Sequence, residues 1–211
     1  MFEIEYKGAN TVVISTKKTT LVVDPRLSVV GLKDIKIKDE VQLVTEPRFK
    51  VENREARIII DGPGEYEVGD FAIRGAAAQR HIDSDDSIKR GTIYRVECGD
   101  VRLGVFGNIS AKLSDEQLEA IGIVDILLLP IGGSGYTLDP TDAITLIRNI
   151  EPKVVIPVHY ADSGLRYEVP QEALDAFTTE LGAPCEEVSR YKLKGAMSIP
   201  SSLTVVAINR T

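Results

Sequence analysis

Apolar and polar residues alternate in short runs through the first half of the chain. Phe2, Ile4 and Tyr6 share one face of a strand over residues 2–6. Residues 11–15 and 20–24 flank Thr16-Lys17-Lys18-Thr19, a hairpin turn. Strands are predicted next over 40–45, 57–61, 65–68 and 71–74. Two more, 92–97 and 101–106, are joined by the turn signal Cys98-Gly99-Asp100. The rhythm then changes. Ser114 and Gln117 form an S-x-x-Q capping box, so a short helix starts there. Residues 124–129 and 154–158 are continuous apolar runs, the signature of strands buried on both faces. Asp139-Pro140 caps a helix carrying Ala143, Ile144, Ile147 and Ile150 at helical spacing. Pro170 is expected to open a third helix, which Gly182 stops, and residues 203–208 form a last strand. Strands first and strand–helix units later suggest two packed sheets with helices outside. An α+β domain with a single sheet fits the same pattern.

Composition narrows the function classes. The 211 residues, 43% hydrophobic, are enough for one full core, so residues 1–211 read as a single domain. No internal repeat or linker interrupts them. A net charge of −7 disfavours a nucleic-acid backbone as partner. No apolar run approaches the roughly 18 residues that span a bilayer, so no membrane partner is expected. The first residues are acidic where a secretory signal is basic, and the cysteines, Cys98 and Cys185, form no C-x-x-C pair. The expectation is a cytoplasmic protein with free thiols.

Four blocks in order resemble a known family. They are Tyr6-Lys7-Gly8-Ala9-Asn10 followed by Leu21-Val22-Val23-Asp24-Pro25; Asp61-Gly62-Pro63-Gly64-Glu65-Tyr66-Glu67-Val68; residues 124–133, ending in Pro130-Ile131-Gly132-Gly133; and residues 152–160, ending in Pro157-Val158-His159-Tyr160. Together they resemble the metallo-β-lactamase-fold superfamily, in its small Zn-dependent hydrolase group. The resemblance implies an α/β (α+β) fold, the four-layer αβ/βα sandwich of the metallo-β-lactamase type, and members of this superfamily often self-associate, so a homo-oligomer is a further expectation.

The same alignment implies an altered site. The superfamily carries T-H-x-H-x-D-H where this chain has Thr45-Glu46-Pro47-Arg48-Phe49-Lys50-Val51. Glu46 and Arg48 stand at the first two histidines, Lys50 at the aspartate and Val51 at the last histidine. Asn10 stands at the histidine of G-H-S-S-F, and Asn108 at the metal-bridging aspartate. His159 matches the last histidine ligand and Asp24 the D-P aspartate. The chain has two histidines in all, the other being His81 in a polar loop. Catalytic zinc takes at least three protein donors, and Arg48 and Lys50 bring fixed cations toward the metal positions. The expectation is therefore no resident metal or cofactor.

Several readings remain open. His159 is either a hydrogen-bonded packing residue or a lone general acid/base. Glu46, Arg48 and Lys50 are either a mixed-charge surface turn or, with Asn10, Asn108 and His159, a cleft that holds a small anionic ligand. Asp24, Glu46, Asn108 and His159 also form a candidate oxygen-rich site for Mg²⁺ or Mn²⁺. Two functions follow: a catalytically inactive ligand-binding or assembly protein, or a metal-dependent hydrolase with a reduced or unusual metal site.

Overall fold

Alternation along β1 (Phe2–Gly8) buries Phe2, Ile4 and Tyr6 and leaves Glu3, Glu5 and Lys7 toward water. It pairs antiparallel with β2 (Thr11–Ser15), and β2 with β3 (Thr20–Val23). Then come β4 (Val41–Leu43) and β5 (Ile58–Ile60), both added in parallel. The second sheet contains β6 (Gly64–Val68), β7 (Phe71–Ala78), β8 (Gly91–Cys98) and β9 (Val101–Val105), an antiparallel meander. Strands β10 (Ile126–Pro130) and β11 (Val154–Val158) extend it in parallel. Late in the chain come β12 (Cys185–Val188), β13 (Tyr191–Leu193) and β14 (Thr204–Ile208). The computed structural model describes residues 1–52, 54–85 and 89–211. The first sheet runs β13-β1-β2-β3-β4-β5 and the second β12-β14-β11-β10-β9-β8-β7-β6. The arrangement is the two-sheet sandwich that the family resemblance implies.

The inner faces of the two sheets make the main core, where Ile4, Ile14, Leu21 and Leu43 meet Tyr94, Leu103, Ile126 and Ile156. A second core lies outside the second sheet, under α1 (Asp115–Ile121), α2 (Pro140–Ile150) and α3 (Leu174–Leu181). In β10, Ile126 and Leu128 face the first core and Leu127 and Leu129 the second, so this strand is apolar throughout. The far face of the first sheet carries buried Val22 and Gln42, and two 3₁₀ turns, Leu27–Val30 and Pro47–Phe49, lie in the loops that follow β3 and β4. Gln42, wholly buried on that face, holds the Val51 backbone twice: its amide nitrogen donates to the Val51 carbonyl (3.0 Å), and its oxygen accepts from the Val51 N–H (2.8 Å).

Both cap signals read from the sequence are present. Ser114 and Gln117 bond each other's backbone in a capping box, and the Asp139 carboxylate accepts from the Asp142 N–H. The third helix differs. It begins at Leu174, not Pro170, because the Glu172 backbone is held extended between the Gly132 carbonyl and the Ala161 N–H, both at 2.8 Å. Strands β12 and β13 also escaped the sequence pattern; Cys185, Glu186 and Glu187 are exposed in succession and show no alternation.

The sandwich matters for function because β3, β4, β9 and β11 all deliver their C-terminal ends to one edge. Ligand-binding loops of open α/β sheets collect at such ends.

Candidate functional site

Asn10 lies in the β1–β2 turn, Glu46 just after β4, Asn108 just after β9 and His159 at the end of β11. None is more than 4% exposed. They form one directed chain of hydrogen bonds. An ionised carboxylate only accepts, so Asn108 presents its amide nitrogen to Glu46 Oε1 (3.1 Å). The Asn108 oxygen then accepts from the Asn10 amide (3.3 Å). The Asn10 oxygen lies 2.8 Å from His159 Nδ1. That order assigns the imidazole proton to Nδ1 and leaves the Nε2 lone pair free of a proton. At the other end, Arg80 Nη1 lies 3.5 Å from Glu46 Oε2 while its other nitrogens hold Asp83 at 2.6 and 3.0 Å.

The backbone around this chain is strained. Ala9, Asp24 and His159 have φ of 47°, 45° and 53°, a region that non-glycine residues seldom enter. The His159 N–H donates to the Ala9 carbonyl (2.9 Å), which locks two of the three together. Asp24 spends both carboxylate oxygens on Thr45, accepting from its N–H (2.7 Å) and its hydroxyl (2.6 Å). Two glycines make room for this packing: a Cβ on Gly107 would strike Thr45, and one on Gly132 would strike the His159 carbonyl.

Electrostatics follow from burial. Loss of solvent raises Asp24 from 3.8 to about 7, against the pull of its two Thr45 hydrogen bonds. Burial likewise raises Glu46, and the nearby Arg80 and the Asn108 amide oppose it. His159 falls from 6.5 to about 3, first through burial and then through the Arg48 charge. It is neutral at pH 7. Its ring lies between Tyr167, at 4.9 Å, and Tyr136, at 5.4 Å.

The two cations of the Glu46–Val51 segment are engaged. The Arg48 guanidinium stacks over Tyr136 (5.3 Å) and pairs with Glu168 (2.9 Å). Lys50 pairs with Asp61 (3.1 Å) and Glu52 (3.4 Å). Of the six site residues expected from sequence, the structure joins Asn10, Glu46, Asn108 and His159 directly, sets Arg48 at the rim and turns Lys50 to Asp61. His81 approaches only through its backbone N–H, which donates to the Asn108 carbonyl (2.8 Å). Arg80, Tyr136 and Tyr167 were not foreseen. Tyr136 had a signal, since it directly follows the Gly132-Gly133-Ser134-Gly135 turn that brings backbone to the cleft.

A two-metal centre needs several anionic or imidazole donors converging on each ion. Among the described residues, no three histidine, cysteine, aspartate or glutamate side chains gather where they could share a metal ion. Asp24 is occupied by Thr45, Glu46 by Asn108 and Arg80, and Asn10 and Asn108 bring neutral amides. The residues present do not fit such a centre.

Comparison with known proteins agrees with the fold. A UPF0173 metal-dependent hydrolase of Thermus thermophilus is 25% identical over 192 residues, covering 76% of this chain and 84% of the relative. One of Alkaliphilus metalliredigens is 34% identical over 92 residues, covering 42% of this chain and 39% of the relative. A crystal structure from Thermotoga maritima, described as a Zn-dependent hydrolase of the metallo-β-lactamase superfamily, superposes with a TM-score of 0.77 at 22% identity, over 100% of both chains. A metallo hydrolase of Ignicoccus hospitalis gives 0.65 at 15% identity, over 99% of this chain and 95% of the other. No helix among the described residues is long and apolar enough to cross a membrane. The Beta-lactamase superfamily domain matches residues 3–159, and the chain belongs to that family.

Proposed function

We propose that this chain is a metallo-β-lactamase-fold protein that has given up two-metal hydrolysis and keeps the cleft to bind a small anionic ligand. One observation supports the reading: His159, Asn10, Asn108 and Glu46 satisfy one another in a buried chain of hydrogen bonds, at positions where the family resemblance implies metal ligands. The buried Glu46 carboxylate, which a metal would otherwise neutralise, has Arg80 as its counter-charge. His159, with its proton on Nδ1 and its basicity suppressed, is a hydrogen-bonded strut. It is a poor general base near neutral pH, because proton transfer favours groups that titrate close to the working pH.

A second reading is a hydrolase with a reduced or unusual metal site centred on His159 Nε2. Its support is the relatives' name, metal-dependent hydrolase. One experiment separates the two. Protein purified without chelator is assayed for metal, and its turnover of phosphodiester, ester and lactam substrates is measured with added Zn²⁺ and Mn²⁺. Turnover that disappears in His159→Ala supports the hydrolase. Absence of both metal and turnover supports the ligand-binding reading.

A further inference from the structure

A cleft of about 580 Å³ opens beside Glu46, between the end of β4 and the connection from β7 to β8. That volume lies within the range of small-molecule sites. Its wall carries four cations, Arg48, Arg80, Lys89 and Arg90, against two carboxylates, Glu46 and Asp61. Both carboxylates are engaged. Glu46 accepts from Asn108 (3.1 Å) and pairs with Arg80 (3.5 Å), and Asp61 pairs with Lys50 (3.1 Å). Lys89 and Arg90 are exposed, and no carboxylate among the described residues pairs with either. A chain whose net charge is −7 is therefore locally basic at this cleft. The wall is also tied in place. The N–H of buried Thr92 donates to the Thr45 carbonyl (2.9 Å), which joins the start of β8 to the end of β4, and Asp83 holds the Arg80 guanidinium at 2.6 and 3.0 Å.

We infer that this cleft binds a phosphomonoester with a compact, non-aromatic body. The inference rests on the ligand-binding reading above and names the ligand class. The cations reach the cleft from different places in the chain: Arg48 from the turn after β4, Arg80 from just after β7, and Lys89 and Arg90 from just before β8. A carboxylate is satisfied by one guanidinium in a two-pronged contact. A phosphoryl group carries a charge of about −1.5 to −2 at pH 7 and three acceptor oxygens, so it uses donors that converge from several directions. Its charge also matches the excess of cations over carboxylates in the wall. The phosphoryl group fills a small part of the volume, and the rest gives the alcohol its place. Pro47, Gly62, Pro63 and Ala77 line that remainder, and no aromatic ring of the described residues does. A nucleobase therefore finds no stacking partner here, whereas a small polar alcohol needs none.

The test is a calorimetric titration with glucose 6-phosphate in the presence of chelator, at constant ionic strength. Lys89→Gln and Arg90→Gln are each expected to weaken binding about fivefold, the effect of one exposed charge contact. The double variant should lose roughly the product of the two factors. Lys153→Gln, which removes an exposed cation at the start of β11, should leave the affinity unchanged. Gluconate, a monocarboxylate of similar size, should bind more weakly than glucose 6-phosphate, and adenosine 5′-monophosphate no more tightly. The inference is overturned by any of four results: no binding of glucose 6-phosphate, unchanged affinity in the double variant, an equal loss in Lys153→Gln, or a preference for gluconate or for the nucleotide. Thermal unfolding without ligand checks that the variants are folded; if the double variant is not, the single variants and the order of the three probes still decide. Metal content is measured separately. Stoichiometric metal sinks the ligand-binding reading whatever these affinities are, and absence of metal together with no binding of glucose 6-phosphate sinks this inference alone.

Discussion

Asn108 donates its side-chain amide to Glu46 Oε1 at 3.1 Å, and both residues are 2% exposed. The family resemblance implies an aspartate and a histidine at these two positions. Here they are a donor and an acceptor that need nothing between them. Asn108→Asp converts the contact into two facing carboxylates. One must take up a proton or both must be partly expelled, since like charges in one buried site cannot both ionise without cost. The expected loss of stability is about 3 kcal/mol, the scale of an uncompensated buried charge. Urea unfolding should show a larger loss at pH 8 than at pH 5, where protonation relieves the repulsion. Equal loss at both values contradicts this picture of the site.

Arg80 balances Glu46 although its shorter contacts go to Asp83. Removing it in Arg80→Ala leaves the buried Glu46 carboxylate with only the more weakly acting Arg48 charge, and the expected cost is about 3 kcal/mol. The Asp83 contact also disappears, so a double-mutant cycle is the proper measurement. Arg80→Ala should cost at least about 1 kcal/mol less when Glu46 is already glutamine. Additive effects would show that Arg80 acts through Asp83 alone.

Asp24 and His159 titrate in opposite senses. Folding raises Asp24 from 3.8 to about 7, so it contributes stability that is fully present below about pH 4 and lost as pH rises toward 7. Folding lowers His159 from 6.5 to about 3, so its contribution is present above about pH 6.5 and lost as pH falls toward 3. Between about pH 4 and 6.5 the two slopes oppose, each at up to about 1.4 kcal/mol per pH unit. Asp24→Asn should therefore leave a protein whose stability, relative to the unaltered chain, climbs with pH across this window. His159→Gln should leave one whose relative stability falls. Unfolding free energies at half-unit steps of pH check both, and curves that run parallel to that of the unaltered chain contradict the assignments.

Much of the fold could be read from pattern because burial dictates it directly. The alternation of residues 2–6 and the unbroken apolar run of β10 each have one cheap explanation, a one-sided and a two-sided strand. The start of α3 was misplaced because Pro170 is as good a residue for an extended segment as for a first helical turn. The choice between them was made by the distant Gly132 carbonyl. At the site, alignment against the superfamily pattern found Asn10, Glu46, Asn108 and His159. It could not find Arg80, which follows β7 and reaches Glu46, 34 residues earlier in the chain. Nor could it find that Arg48 meets Glu168, 120 residues away in sequence. Long-range pairings of single charged side chains leave no periodic trace.

In the proposed function, mutually satisfied side chains stand where a metal cluster would. Elemental analysis of protein purified without chelator, after equilibration with Zn²⁺ and Mn²⁺ and removal of free ions, addresses it most directly. No stoichiometric metal is expected, either in the unaltered chain or in His159→Ala. A full equivalent of bound metal that is lost in His159→Ala would contradict it.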